Sequence, residues 1–281
     1  IYLDNVPVKK ALVLNCGNGW VERDLIDGGI CEEAVAFDIS EELLSQAEEL
    51  RGDRQIEYIR CDCNKIEFPN NSFDLVANVA AMHHVQYINR MHKVLCAALR
   101  EDGYFVNFDY VGPHRNQYSE QHFSLLKKIN ESLPDGFASE PFARPNVVGM
   151  LKEDPTEAIH SGLIAETFER YFIPLERKYL GGGIAYPIMH NNRELYWKGN
   201  KVAEHIVEFL LQVDELASKM GVVPSLFAFF VGKPRKEIFD PRNAELLEKY
   251  RIEEEERERK AELDGGRYYE EENASELLTL E

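Results

Sequence analysis

The chain has 281 residues, 44% of them hydrophobic, and a net charge of −18. That length and apolar share are enough for one large domain, or one domain with an appendage, while the negative charge repels phosphate backbones and argues against a nucleic-acid partner. No run is long enough to span a bilayer and no secretory h-region is present, so Cys16, Cys31, Cys61, Cys63 and Cys96 are expected as reduced thiols in a cytoplasm. The chain opens on Ile1 rather than Met, with a strand beginning by Ala11, which points to a trimmed or longer protein upstream.

From the N-terminus, short apolar runs alternate with helical patterns, the signature of a parallel sheet with crossover helices. Strands are expected at Ala11–Asn15, Ala34–Asp38, Ile56–Arg60, Phe73–Val79 and Tyr104–Asp109. Between the second and third, "SEELLSQAEEL" places Ser40 to cap a helix whose first turn carries Glu41 and Glu42, where negative charge favours the helix dipole. Five such strands argue for a doubly wound α/β fold. Beyond them, "YSEQHFSLLKKINESLP" has helical periodicity and "GFASEPFARPNVVGML" reads as loop, so residues 111–166 form an insertion suited to a lid or substrate platform. "NNRELYWKGNKVAEHIVEFLLQVDELASKMG" is a second helical stretch, with Ile206, Phe209, Leu210 and Val213 expected on a core face. Residues 238–281 read as a separate tail of 15 acidic and 7 basic residues, which supplies −8 of the net charge. Its middle, "AELLEKYRIEEEERERKAELD", has the pattern of a solvated charged helix.

The chemistry is concentrated where the first strand ends, in "LVLNCGNGW" (Leu12–Trp20). In a doubly wound sheet the ligand sits outside the carboxyl ends of the strands where the winding reverses, and Gly17 and Gly19 occupy that loop. Residues without a Cβ let backbone pass close beneath a ligand. Asp38 ends the second strand, where a carboxylate can accept from both ribose hydroxyls. A dinucleotide loop calls for a third glycine near Glu22, yet "GNGWVER" offers Trp20 and an acid. An acid at a helix start opposes pyrophosphate and tolerates a nucleoside without phosphates, of which S-adenosylmethionine is one. The third strand ends in "CDCN", where Asp62 can accept from an adenine amino group or cap a helix, and the backbone of Cys63 can contact the ring edge.

These residues resemble a class I S-adenosylmethionine-dependent methyltransferase, of a bacterial subgroup often found beside glycan-building enzymes. "LVLNCGNGWVER", "FDIS", "CDCN" and "AMHHV" fall in order, followed by "DYVGPHRNQY" (Asp109–Tyr118) and "EDPTEAIHS" (Glu153–Ser161), so that the resemblance spans about Lys10 to Lys236. It implies a Rossmann-like sheet of seven strands ending in an antiparallel hairpin, for which "FIPLERKYL" and "LFAFFVGKP" are suitable, and a methyltransferase domain over residues 1–237. It also places Asn15, Ile39, Asn78 and Ala80 beside Gly17, Gly19, Asp38, Asp62 and Cys63 on the cofactor surface. His114, Asn116, Tyr118 and His160 depart from the residues usual in the subgroup, and Asn15 replaces a glycine or acid.

Methyl transfer from a sulfonium is an in-line displacement, so the protein supplies alignment and, for a hydroxyl acceptor, a base. His84 after the fourth strand, and Asp109, Tyr110, His114 and Arg115 after the fifth, are the candidates for the acceptor side, with His84 and Tyr110 favoured. Arg115 can hold an anionic acceptor through its planar fork or pair with a lid acid. The expected acceptor is a small molecule, a sugar or other glycan precursor. Neither a second thiol pair nor a His-x3-His follows His83, His84, His92 and the Cys61/Cys63 pair, so no metal is expected. Two other classes fit the pattern less well. One is a non-catalytic methyltransferase-like subunit or homodimer that docks through the helical regions or acidic tail; the other is an NAD-dependent oxidoreductase or epimerase, which Trp20 disfavours.

Overall fold

The structure, a computed structural model, describes residues 8–139, 141–190, 192–196, 199–257 and 259. Seven strands, β1 (Val8–Val13), β2 (Cys31–Asp38), β3 (Ile56–Arg60), β4 (Phe73–Val79), β5 (Leu99–Tyr110), β6 (Phe172–Tyr179) and β7 (Phe227–Pro234), form one sheet in the order β3-β2-β1-β4-β5-β7-β6. The first five are parallel, and β7 runs antiparallel to both β5 and β6, as the resemblance implies. Strand order reverses between β1 and β4, so their carboxyl ends face the same crevice. The crossover helices are α1 (Trp20–Asp27), α2 (Glu41–Arg51) and α3 (Ile88–Ala98). Ser40 caps α2 as expected, its hydroxyl accepting from the Leu43 N–H at 3.3 Å.

The central strands are apolar on both faces because helices cover both. Leu12, Phe37, Val76 and Phe105 are among the residues of the main core, which continues through α3 into Phe168 and Phe172. A second core lies over the site end of the chain. It joins α4 (Glu120–Glu131), α7 (Ala185–His190) and α8 (Lys201–Lys219) through Leu126, Ile188 and Leu210, all completely buried, around Tyr110. Each such side chain contributes about 1.5–3 kcal/mol by burial. The insertion expected over residues 111–166 therefore packs with the stretch between β6 and β7 rather than standing alone. It also contains α5 (Val147–Glu153) and the start of α6 (Ile164–Tyr171).

Two expectations change. Ile206, Leu210 and Val213 pack into the second core, but Phe209 is 63% exposed, because a quarter turn of α8 carries it off that face. The described part of the tail is not a detached solvated helix: Ile238 is in the main core, and Leu247 and Tyr250 of the helical stretch 244–257 pack against it. The Arg170 guanidinium lies 4.6 Å from the Tyr250 ring, and the buried Glu254 carboxylate accepts from the Asn89 N–H in the first turn of α3. Leu247 and Tyr250, three apart, together with the buried Glu254 four further on, secure an otherwise charged helix. Residues 260–281 and 1–7 lie outside the described residues, and with them the expectations for the end of the tail and the start of the chain. Among the described residues no helix is long and apolar enough to cross a membrane.

Candidate functional site

At the carboxyl end of β1 the chain enters the left-handed region repeatedly, at Asn15 (φ 40°), Gly17 (φ 56°) and Gly19 (φ 79°), and beyond β4 it does so again at Ala80 (φ 52°). Asn15 and Ala80 are not glycines, so each holds roughly 1–3 kcal/mol of strain, the kind of cost that clusters at binding sites. The Asn15 side chain donates to the Ala81 carbonyl at 3.2 Å and ties the two strained turns together. Asp38 then organises the loop: Oδ2 accepts from the Gly17 N–H and Oδ1 from the Ser40 N–H, both at 2.9 Å. Each oxygen retains acceptor capacity suited to a ribose hydroxyl.

The two loop glycines have different reasons. A Cβ on Gly17 would meet nothing within 4 Å, so this is where backbone is bared to open space and to a ligand. A Cβ on Gly19 would lie 2.4 Å from Tyr58 Oη and 2.6 Å from Glu22 Oε1, so Gly19 lets the loop pack on its neighbours, which corrects its expected role at the ligand surface. Glu22 is likewise corrected. It is fully buried in the first turn of α1, where burial raises its pKa, so its carboxyl faces the interior and not a ligand.

Beside Asp38, Ile39 is 65% exposed, an apolar side chain free to cover a flat ring. Asp62 Oδ1 accepts from the Asn64 N–H at 2.9 Å, and its Oδ2 lies 3.1 Å from the Lys65 ammonium. Burial would raise this carboxyl, but those two partners outweigh it and hold the pKa below the usual value; no helix lies between β3 and β4, so Asp62 closes a turn and does not cap a helix. Cys63 is half-buried, and burial pushes its thiol up to about 11. Asn78 is a correction: it is fully buried, its amide donating to Asn107 Oδ1 at 2.8 Å and Asp109 Oδ2 at 2.7 Å, so its side chain supports the crevice from below. An open glycine backbone, a ribose-accepting carboxylate and a bare aliphatic chain fit a nucleoside-bearing cofactor such as S-adenosylmethionine.

The acceptor side is assembled from three segments. His83 and His84 stand in a 3₁₀ turn after β4, and Asp109 ends β5. Asp154, Thr156 and Glu157 come from the connection after α5. Asp109 is wholly buried and accepts from the Asn78 amide, the N–H groups of Ala81, Met82 and Tyr110, and His83 Nδ1. It is a positioning residue, which corrects the expectation that it contacts the acceptor. His83 Nδ1 lies 2.6 Å from Asp109 Oδ1 and its Nε2 lies 3.6 Å from Glu157 Oε2. Burial alone would lower the His83 pKa, but bonding to the two carboxylates raises it to about 9. His84 moves the other way, lowered by burial and then by the charge of His83.

Thr156 fixes the state of His84. Its hydroxyl donates to Asp154 Oδ1 at 2.7 Å, so toward His84 Nδ1, 3.1 Å away, it can only accept. The proton of neutral His84 therefore sits on Nδ1, and Nε2, 3.8 Å from Glu157 Oε2, keeps its lone pair. Arg115 joins the same segment, with its N–H donating to the Ala158 carbonyl at 2.8 Å and Nη1 to the Glu157 carbonyl at 3.2 Å. Among the described residues Arg115 bonds the backbone carbonyl of Glu157 and forms no ion pair with a carboxylate, so the expected pairing with a lid acid is not formed.

Tyr110 departs from expectation as well. Only 4% of it is exposed, its hydroxyl donates to the Pro113 carbonyl at 3.4 Å, and burial drives its pKa far upward, so it serves as core and not as a base. His114 stands edge-on to His160 at 5.7 Å and is lowered to about 4, by burial first and then by His160 and Arg115. Glu157, Thr156 and Asp154 had no role in the sequence reading. "EDPTEAIHS" was visible as a shared segment, but its carboxylates gain a partner only through the fold.

Residues 12–107 match the family model described as a methyltransferase domain. The human eEF1A lysine and N-terminal methyltransferase is 28% identical over 129 residues, 42% of this chain and 18% of that protein. A Bacillus subtilis protein described as uncharacterized methyltransferase YcgJ is 24% identical over 104 residues, 36% of this chain and 41% of the other. The chain thus spans less than a fifth of the first of these relatives and under half of the second. Among solved structures, an S-adenosylmethionine-dependent methyltransferase from Mesorhizobium loti superposes with a TM-score of 0.50 at 18% identity, covering 81% of this chain and 91% of that one. Sequence match and sheet order agree: residues 12–107 are similar to a methyltransferase domain, and the seven-stranded sheet has the fold of the solved methyltransferase structure.

Proposed function

We propose that the protein transfers the methyl group of S-adenosylmethionine to a hydroxyl of a small-molecule acceptor, a sugar or other glycan precursor. The observation that carries this reading is His84, whose pKa is lowered by burial and by His83 and whose Thr156 contact through Nδ1 leaves the Nε2 lone pair directed at the mouth of the crevice. When bound, the cofactor supplies an electrophilic methyl on a sulfonium. Asp38, Gly17 and Ile39 hold its adenosine part, and the turns at Asn15 and Ala80 set the depth at which it lies. His84 Nε2 takes the acceptor's proton as oxygen becomes the nucleophile, while the Thr156–Asp154 relay keeps the imidazole oriented. Three carboxylates, Asp109, Asp154 and Glu157, surround the histidine pair and favour positive charge there. A general base of this kind contributes about 10²–10⁴ in rate.

Calorimetric titration with S-adenosylmethionine, S-adenosylhomocysteine and NAD tests the cofactor, with micromolar binding of the first two and none of the third as the expected result. A screen of sugar and glycan-precursor hydroxyls with labelled cofactor then tests the acceptor. Label appearing only on protein lysines or N-termini, the substrates named for the human relative, would replace the small-molecule reading with a protein acceptor.

A further inference from the structure

We propose that His83, His84 and Glu157 form a binding site for a divalent transition cation of the zinc class. Their ligand atoms all lie within 4.8 Å of one another. Two edges of the triangle are 3.6 Å, from His83 Nε2 to Glu157 Oε2, and 3.8 Å, from His84 Nε2 to the same oxygen. A tetrahedral ion with bonds near ~2.1 Å keeps its ligands about 3.4 Å apart, so the two edges to Glu157 need to close by only a few tenths of an ångström.

Both rings are already turned for the task. Asp109 Oδ1 engages His83 Nδ1, and Asp109 is itself fixed by four further donors; Thr156 Oγ1, held by Asp154, engages His84 Nδ1. Each imidazole is thus oriented through one nitrogen and directs the other at the centre, the carboxylate–histidine arrangement of metal centres; His83 releases its Nε2 proton to solvent as the ion binds. Two imidazoles and one carboxylate suit zinc, cobalt or iron rather than calcium or magnesium. The absence of a second thiol pair or His-x3-His along the chain does not bear on this site, because its third ligand arrives from a remote segment.

Three protein ligands leave a fourth position. The side chains of His84 and Glu157 keep 30% and 31% of their surface exposed, so that position opens to solvent. Cation binding does not depend on the methyltransferase reading; only the assignment of the acceptor's oxygen to the open position rests on it. There the ion would take over from His84, whose lone pair becomes a metal bond. A hydroxyl on the ion loses its proton to solvent far more readily, as zinc-bound water does near pH ~7, and the oxygen stays on the metal until it attacks the methyl.

The test is titration of the untagged full chain, stripped with a chelator, with zinc chloride in the absence of cofactor. One site of micromolar or tighter dissociation constant is expected. Glu157→Gln, a near-isosteric change at a half-exposed residue, should weaken it at least tenfold, and Cys61→Ser with Cys63→Ser should leave it unchanged. Cobalt should give an intense visible band in the unaltered chain that Glu157→Gln removes. No zinc uptake, or uptake that survives Glu157→Gln and is lost with the cysteines, overturns the proposal. Separate titration with S-adenosylhomocysteine decides the cofactor reading on its own.

Discussion

The two halves of the crevice are built on different principles. The cofactor half is local: Asn15, Gly17, Asp38, Ser40 and Ala80 sit at ends of neighbouring parallel strands, and their hydrogen bonds are short-range or join adjacent strands. Gly17 bares its backbone to open space, and the bonds of Asp38 serve the loop and not the apolar core. The acceptor half is held from beneath by a buried polar network centred on Asp109 and closed from above by residues 154–157. Function and stability are therefore separable in the first half and joined in the second.

Asp109→Ala should separate the halves most sharply, since it orphans five donors at once, several of them buried. A loss of about 4 kcal/mol is expected in urea unfolding, well beyond a single hydrogen bond. His84→Ala should lower turnover about 10³-fold while cofactor affinity and unfolding midpoint stay near those of the unaltered chain; equal turnover would remove His84 from the chemistry. Asp38→Ala should weaken S-adenosylhomocysteine about 100-fold by calorimetry, the loss of charge-assisted bonds to two hydroxyls, at a cost of only about 1 kcal/mol in folding. If Asp38→Ala unfolds the protein as readily as Asp109→Ala does, the contrast between the halves fails.

A further effect lies outside both. Burial raises the Glu254 pKa from 4.5 to about 7, against opposing contributions from the Asn89 N–H and from Arg170 and Arg257. An acid raised in the folded state stabilises while protonated, so its contribution is complete below pH 4.5 and is lost as pH rises through about 7. Unfolding free energy should fall by about 3 kcal/mol across that window, and Glu254→Gln should flatten the fall.

The same contrast governs what could be read before the structure. Ile56–Arg60 and Phe73–Val79 have the bounds their apolar runs indicate, and Ser40 caps α2, because these depend on neighbours in sequence. Asp38 was legible for the same reason, as a carboxylate ending a parallel strand beside a glycine loop. Gly19 was placed correctly but for the wrong cause, since the side chains of Tyr58, Glu22 and Ala47 that exclude a Cβ come from three different elements. Asn78 and Asp109 looked like ligand-facing groups at strand ends; whether such a side chain points out or pairs with another beneath the crevice is decided by the register of β4 against β5. Glu157 was invisible as chemistry because its imidazole partners lie in another segment. The tail misled by composition: Leu247 and Tyr250 are few, but with Ile238 in the turn before the helix they suffice to dock it.

That docked helix bears on how the molecule is made. Glu254 reaches back 165 residues to the Asn89 N–H, in the first turn of the helix that follows the His83-His84 turn. Chains emerge from the ribosome N-terminus first at roughly 5–20 residues per second, so the parallel strands can assemble for many seconds before this contact becomes available. Through that interval the first turn of α3 lacks its carboxylate and Tyr171 lacks the cover of Tyr250. The last described helix thus acts as a late clasp on an early-formed sheet, and truncation ahead of it should leave a nascent domain with native strands and a loosened α3.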